Sequence, residues 1–250
     1  MKKVLIKHKS LLRSNTRLPE SDLKELINRF RKASEQAIHK NSFSYLLNLH
    51  TLKYEFVSDS CVAFTGVTPL GFKQKGLDIL PIIMEPADLE KLGQSLFPEM
   101  ETAYKAMNKK DRSNAMFELY YRFKGHSGQD PVSIVEYTSY TNYDENGEPT
   151  ASTGVCYESA LKMNGVRGIV RLQTTTGQEL IYDRMILHDL EMLTTTELKL
   201  AELLSKGSTK KDIADELNVS IHTVKTHFKN IYKKLNVSSA TELLNQLYSN

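Results

Sequence analysis

Ser220-Ile221-His222-Thr223-Val224-Lys225-Thr226-His227-Phe228-Lys229-Asn230-Ile231-Tyr232-Lys233-Lys234-Leu235 sorts its side chains between two environments. Ile221, Val224, Phe228, Ile231 and Leu235 recur at three- and four-residue intervals, the repeat of one buried helix stripe. At 100° per residue, Thr226, Lys229 and Lys233 point almost directly away from that stripe. Thr223 and Asn230 flank them on one side and His222 on the other, with Lys225 at the edge. No acidic residue occurs from Ser220 to Leu235, so the outward face is uniformly basic and polar.

The flanking sequence punctuates this helix on both sides. Thr194 with Glu197 has the spacing of a capping box ahead of Leu198, Leu200, Ala201 and Leu204. Gly207 suits the left-handed position that ends a helix. Thr209 then caps a short helix with Asp212 at its third position and Ile213, Ala214 and Leu217 inward. Asn218-Val219 makes a turn, Ser220 caps the third helix, and Ser239 with Glu242 boxes a fourth that buries Leu243, Leu244 and Leu247. A short helix, a tight turn and a second helix with a basic outer face form the geometry that offers a helix to the major groove. There Lys donates to guanine O6 and N7, Asn pairs with adenine, and Thr supplies a hydroxyl and a methyl. The amides at the Thr209 and Ser220 helix starts suit phosphate oxygens.

The pattern Leu193-Thr194-x-x-Glu197, Gly207, Lys211-Asp212-Ile213-Ala214, Leu217, Ser220-x-x-Thr223-Val224-Lys225-x-His227 and Asn230-Ile231-x-x-Lys234-Leu235-x-Val237 resembles the LuxR-type helix-turn-helix in order and spacing. The resemblance implies base contacts from Lys225, Thr226 and Lys229. It implies mainly backbone contacts from Thr209, Lys210, Lys211, Ser220, Thr223, His227 and Lys233. Two positions depart from the family: Thr196 and Ala240 stand where Arg is frequent.

Upstream, residues 42–160 read as mixed α and β. Phe43–Leu49 and Leu52–Val57 are strand candidates, and a longer helix is expected from Ala87 to about Met107. Phe117, Leu119, Tyr121 and Phe123 alternate with polar neighbours at a strand's two-residue period. A strand from Val132 to Tyr143, a turn at Asp144-Glu145-Asn146-Gly147 and a return over Thr150–Tyr157 complete three closing strands. Element order resembles a PAS sensor domain, as do Val57-Ser58-Asp59 with Phe64-Thr65-Gly66, and Ile83-Met84-Glu85-Pro86-Ala87-Asp88-Leu89. Glu85 and Ala87 depart from that family's His and Glu. Such domains bind small molecules or mediate dimer contacts. The aromatic set Phe117, Tyr120, Tyr121, Phe123, Tyr137, Tyr140 and Tyr143 reads first as ordinary core and cross-strand packing, with a pocket lining as the alternative. The isolated His50 and His126 read as surface or loop residues, and no cofactor or metal is assigned.

The expected fold is α+β: a PAS-like antiparallel sheet with helices, then an all-α four-helix LuxR-type domain. Its divisions are a basic, poorly ordered arm and amphipathic helix (1–40), the PAS-like domain (41–160), a connecting hairpin and linker helix (161–192) and the helix-turn-helix domain (193–250). In the first, a stripe of Leu23, Leu26, Ile27, Phe30, Ala33 and Ala37 marks a helix over Ser21–Ile38, with Lys24, Arg29, Arg31, Lys32 and Lys40 on its basic outside. Net charge is only +3, but residues 1–40 hold eleven basic and four acidic side chains, so attraction for polyanions is local. The opening Met1-Lys2-Lys3-Val4-Leu5-Ile6 imitates a signal peptide until Lys7, His8 and Lys9 interrupt it. Cys61 and Cys156 have no metal or redox spacing and fit reduced thiols, so the cytoplasm is the expected compartment. Expected partners are double-stranded DNA, a second copy of the chain, an unidentified small-molecule ligand and RNA polymerase, with no membrane. An enzyme is disfavoured by the lack of a phosphate loop, a GxSxG elbow or HExxH. A phosphorylation-controlled receiver is disfavoured by the lack of βα alternation. The remaining alternative is a protein-interaction module whose helix-turn-helix does not bind DNA specifically.

Overall fold

In β3 (Ala115–Phe123) the side chains of Phe117, Leu119, Tyr121 and Phe123 are all buried, as a two-residue period requires of a strand with one face on a core. The same logic shapes β1 (Ser42–Asn48), β2 (Lys53–Val57), β4 (Val132–Tyr143) and β5 (Pro149–Glu158). These five lie in the order β2-β1-β5-β4-β3, each antiparallel to its neighbours. The computed structural model describes residues 2–35, 41–126, 128–160, 165–188, 193–235 and 237–248, with side chains to residue 244. The chain divides into two compact units, Met1–Ala160 with Val166–Ile186, and Leu187–Asn250 with Leu161–Gly165.

Between β2 and β3 the first unit inserts α3 (Cys61–Thr65), α4 (Pro69–Lys75), α5 (Leu80–Ile83), α6 (Pro86–Lys91) and α7 (Phe97–Ala106). Their apolar side chains meet the inner sheet face in a core that includes Phe43, Leu47, Phe72, Leu96, Phe123 and Ile134. Full burial of each such side chain contributes about 1.5–3 kcal/mol. The open antiparallel sheet with helices inserted after its second strand is the PAS-like architecture that the sequence implied. Asp88 of α6 is fully buried and accepts hydrogen bonds from the Arg122 backbone N–H (2.7 Å), Nε (3.1 Å) and Nη2 (2.6 Å), which fixes the helical layer to β3.

Several expectations are corrected. The stretch read as a connecting hairpin forms β6 (Gly165–Thr174) and β7 (Gly177–Leu187). Pairing of Phe117 with Val170 and Leu119 with Gly168 makes them part of a seven-stranded sheet. Met185–Leu187, expected to begin a linker helix, instead close β7, because continuing the ladder gives their backbone groups partners; Leu190 lies outside the described residues. The single helix expected over Ala87–Met107 is two helices joined by a π-turn at Leu92–Leu96, with the Phe97 N–H bonded to the Leu92 carbonyl. Pro98 accounts for this, having no N–H for Gln94 and a ring that would crowd its carbonyl.

The amino-terminal arm is ordered. Lys2–Leu12 form α1, with Val4, Leu5 and His8 buried, because these residues with Leu11 and Leu12 share one helical face. Gly93 admits this helix: a Cβ there would lie 2.0 Å from Val4 Cγ1. Lys9 Nζ meets Asp78 at 2.6 Å. The chain then crosses the strand turns, with Ser14 N–H donating to the Leu49 carbonyl and the Thr16 hydroxyl to Asp144. In α2 (Glu20–Glu35), Leu23, Leu26, Ile27 and Phe30 are only half-buried and Ala33 is exposed. Phe30 packs edge-on against Phe56 at 5.8 Å. Ala37 and Lys40 lie outside the described residues.

The second unit contains α8 (Thr195–Ser205), α9 (Lys210–Glu216), α10 (Ile221–Leu235) and α11 (Ala240–Tyr248), the expected four helices. Leu193, Leu200, Ile213, Val224, Phe228 and Leu243 are among the side chains of their common core. Leu244 is half-buried, and Leu247 lies outside the residues whose side chains are described.

Asp88→Ala removes the acceptor of one backbone and two guanidinium donors. It should lower the stability of the sheet unit by about 3 kcal/mol, read from its urea transition. A change under about 0.5 kcal/mol, the size usual for a surface site, would contradict the anchoring role.

Candidate functional site

The local chemistry of each helix end sets the presentation of α10. Thr194 accepts the Glu197 N–H while the Glu197 carboxylate accepts the Thr194 N–H, a closed capping box. Gly207, at φ +90°, turns the chain out of α8. Thr209 and Asp212 make a second reciprocal box on α9. Asn218 takes a left-handed φ of +54°, and the Val219 N–H reaches the Ala214 carbonyl at 3.0 Å. Asn tolerates that conformation better than most residues with a Cβ. Ser220 Oγ then accepts the Thr223 N–H at 3.0 Å and starts α10.

Val224, Phe228, Ile231 and Leu235 are buried as expected. Ile221 is not: it is 44% exposed beside exposed Val219, because the first turn of α10 leaves it incompletely covered. On the opposite face His222, Thr223, Lys225, Thr226, Lys229, Asn230 and Lys233 are all exposed. The Thr226 hydroxyl donates to the His222 carbonyl at 3.0 Å, leaving its lone pairs and methyl outward. The Thr223 and Ser220 hydroxyls bond each other at 2.9 Å. His227 is half-buried in a groove with Thr195, Thr196 and Lys199.

The α9 end is electrostatically mixed. Hydrogen bonds from the Thr209 side chain and then its backbone N–H hold the Asp212 carboxyl below the usual Asp range, so it stays charged. Both Thr209 donors are thereby engaged. Lys211 is exposed, whereas the Lys210 ammonium lies 5.1 Å from the Phe228 ring centre and 5.5 Å from that of Tyr232. Those distances place Lys210 in cation–π contact with α10.

One residue with a structural role escaped the reading of individual helices. Lys234 Nζ lies 2.6 Å from the buried Glu197 carboxylate, tying α10 to α8. Burial pushes the Glu197 carboxyl up, but Lys234 and the Thr194 hydrogen bonds outweigh it and hold the pKa below its ordinary value. Both residues stood in the family pattern. Their contact across 37 positions had no local signal.

The first unit holds a cavity of about 120 Å³. Its sheet side includes Tyr45, Tyr121 and Glu136, and α1 contributes His8 and Leu11. Of the seven aromatic candidates, Phe117, Tyr121 and Tyr140 line it. The buried Glu136 carboxylate accepts hydrogen bonds from the Tyr45 hydroxyl and from Tyr121 at 2.8 Å. Burial pushes its pKa up, and those two bonds act in the opposite direction. Gly154 makes room for Tyr45, since a Cβ there would lie 2.4 Å from the ring. Burial also raises the Cys61 thiol to about 12, with Asp59 adding to the effect, and raises buried Cys156 well above the usual thiol range. His50 and His126 bond the Ser14 and Ala63 carbonyls. Among the described residues, no group of three His, Cys, Asp or Glu side chains is arranged to hold a metal.

Glu197→Gln should cost about 1–2 kcal/mol at neutral pH through loss of its charge-assisted bonds. Because the folded pKa is depressed, the stabilisation is present above the ordinary Glu value of 4.5 and is lost as pH falls from there through the folded value. Thermal melts across that range should be flatter for Glu197→Gln than for wild type; equal slopes would exclude the linkage.

Residues 191–246 match the family model described as bacterial regulatory proteins, luxR family. Over 52 residues the chain is 48% identical to the transcriptional regulatory protein LiaR of Bacillus subtilis, covering 21% of this chain and 25% of that protein. It is 42% identical to the response regulator protein VraR of Staphylococcus aureus with the same coverages. The chain thus spans about a quarter of the length of the curated relatives it matches. A looser overlap, at 11% identity and a TM-score of 0.38, covers 90% of this chain and 88% of a chain in the phage VqmA–DPO complex. Residues 191–246 thus match the luxR family of bacterial regulatory proteins, and the four capped helices of the second unit occupy that matched segment.

Proposed function

We propose that this chain is a sequence-specific DNA-binding transcription regulator controlled through its PAS-like unit. The observation that carries the reading is the acid-free outer face of α10, where Lys225, Thr226, Lys229, Asn230 and Lys233 are all exposed. In this reading α10 enters the major groove. Lys225, Thr226 and Lys229 read base edges, joined by His222 and Asn230. Thr209, Lys210, Lys211, Ser220, Thr223, His227 and Lys233 engage phosphates and set register.

Residues 193–250 serve as the DNA-binding domain and 41–160 as the core of the sensing domain. One small helical domain makes few phosphate contacts, so a homodimer on paired half-sites supplies useful affinity. A small molecule in the PAS-like unit changes dimerisation or the spacing of two recognition helices, and RNA polymerase is the downstream partner. The cytoplasm is the matching compartment: DNA is there, and the two buried thiols suit reducing conditions. Among the described residues no helix is long and apolar enough to cross a membrane.

Selection of bound duplexes from a random DNA pool tests the reading, with wild type beside Lys225→Ala/Lys229→Ala. Wild type should enrich a roughly palindromic motif that the double variant loses. Equal retention without enrichment would favour an interaction module that does not read DNA. A strictly monomeric chain with unchanged DNA affinity across candidate signals would remove the coupling.

A further inference from the structure

Ile221 has the phase of the buried stripe, yet it is 44% exposed, while Val224, Phe228, Ile231 and Leu235 of the same helix are buried. Its side chain does not close the groove beside α8, which Thr195, Leu200, Leu217, Val219, Val224 and His227 line without it. On a helix, Lys225 stands about 40° around the axis from Ile221 and Lys229 about 80°, at rises of about 6 and 12 Å. Ile221, Lys225 and Lys229 thus form one ridge of exposed residues at four-residue spacing, with the aliphatic member at its amino-terminal end. In a helix-turn-helix, that end of the recognition helix carries the residues that contact base edges.

An aliphatic side chain at that position has few matches on a duplex. Phosphates, sugars and most of each base edge offer donors, acceptors or charge. The apolar feature of the major-groove edge is the C5-methyl of thymine. Thr226 also presents a methyl, but it stands about 140° around the helix from Ile221 and is directed at a different base pair.

We propose that Ile221 reads a thymine by covering its C5-methyl, beside the base that Lys225 contacts. The inference rests on the DNA-binding reading above and adds one element of the operator. Each half-site holds a thymine within about two base pairs of the Lys225 contact, since about 6 Å of helix spans roughly two base steps of 3.4 Å. Covering the methyl takes apolar surface of both partners out of water, so Ile221 favours thymine over a base without that methyl.

The test uses the full chain and the duplex that the wild type enriches in selection. The base preference relaxed by Lys225→Ala locates the Lys225 contact. Deoxyuridine, which lacks only the methyl, then replaces each thymine in turn, and affinity is read by fluorescence anisotropy. At the thymine read by Ile221, the wild type should bind the deoxyuridine duplex about fourfold more weakly per half-site, the factor that burying one methyl gives. Ile221→Ala should bind the two duplexes equally and keep the rest of the motif, and Thr226→Ser should retain the wild-type difference. Ile221→Gln, suited to an exposed helix position, should behave as Ile221→Ala does. No thymine within about two base pairs of the Lys225 contact, no thymine whose replacement weakens the wild type, or equal weakening in wild type and the Ile221 variants would each overturn the proposal. Unfolding of both variants would overturn it too, by making Ile221 a core residue. Absence of any enriched motif removes the DNA-binding reading and this inference with it. A motif that Lys225→Ala/Lys229→Ala loses, but that shows no methyl dependence, counts against Ile221 alone.

Discussion

Val224, Phe228, Ile231 and Leu235 must leave water together, and one rotation of α10 about its axis achieves that. The orientation of the opposite face follows, because side-chain directions around a helix are fixed at 100° per residue. Lys229 and Lys233 are exposed on this account, before any partner is considered. The capped turns then set where the face begins: Asn218 reverses the chain in a left-handed conformation and Ser220 accepts the first amide. Glu197, reaching the Lys234 ammonium from α8, adds a tie near the far end of the helix. Packing, turn geometry and one ion pair act on the same segment and agree.

The sheet unit solves a different problem, that of placing polar groups inside an apolar layer. Asp88 answers it with Arg122, and Glu136 with two tyrosine hydroxyls. Buried carboxylates are tolerated when their lone pairs are met by donors. The first arrangement joins a helix to a strand. The second lines a cavity with hydrogen-bonding capacity already spent.

Much of the helical unit was legible because its signals are local. Caps lie three residues apart, and the buried stripe repeats within one turn. Phe117 to Phe123 were equally readable, since strand alternation is local too. The failures share a physical cause. Ile221 has the right helical phase, but exposure depends on what lies across from it. The Val4–His8 helix is short and basic, and its order depends on packing against Gly93 and Phe97, some ninety positions away. Met185–Leu187 have an ambiguous short apolar pattern, resolved as a strand by the ladder available to them. Lys234 and Glu197 were visible as residues, while their contact arises only from the packing of two helices.

The tyrosine–carboxylate bonds around the cavity also have an optical consequence. The chain contains twelve tyrosines and no tryptophan, so tyrosine emission is not drained into an indole acceptor. A phenol hydroxyl bonded to a carboxylate loses much of its emission through excited-state proton transfer, and Tyr45 and Tyr121 both bond Glu136. Any event that loosens those bonds should brighten the protein's intrinsic fluorescence. The cavity therefore carries a native reporter of its own rearrangement, with no label to disturb it.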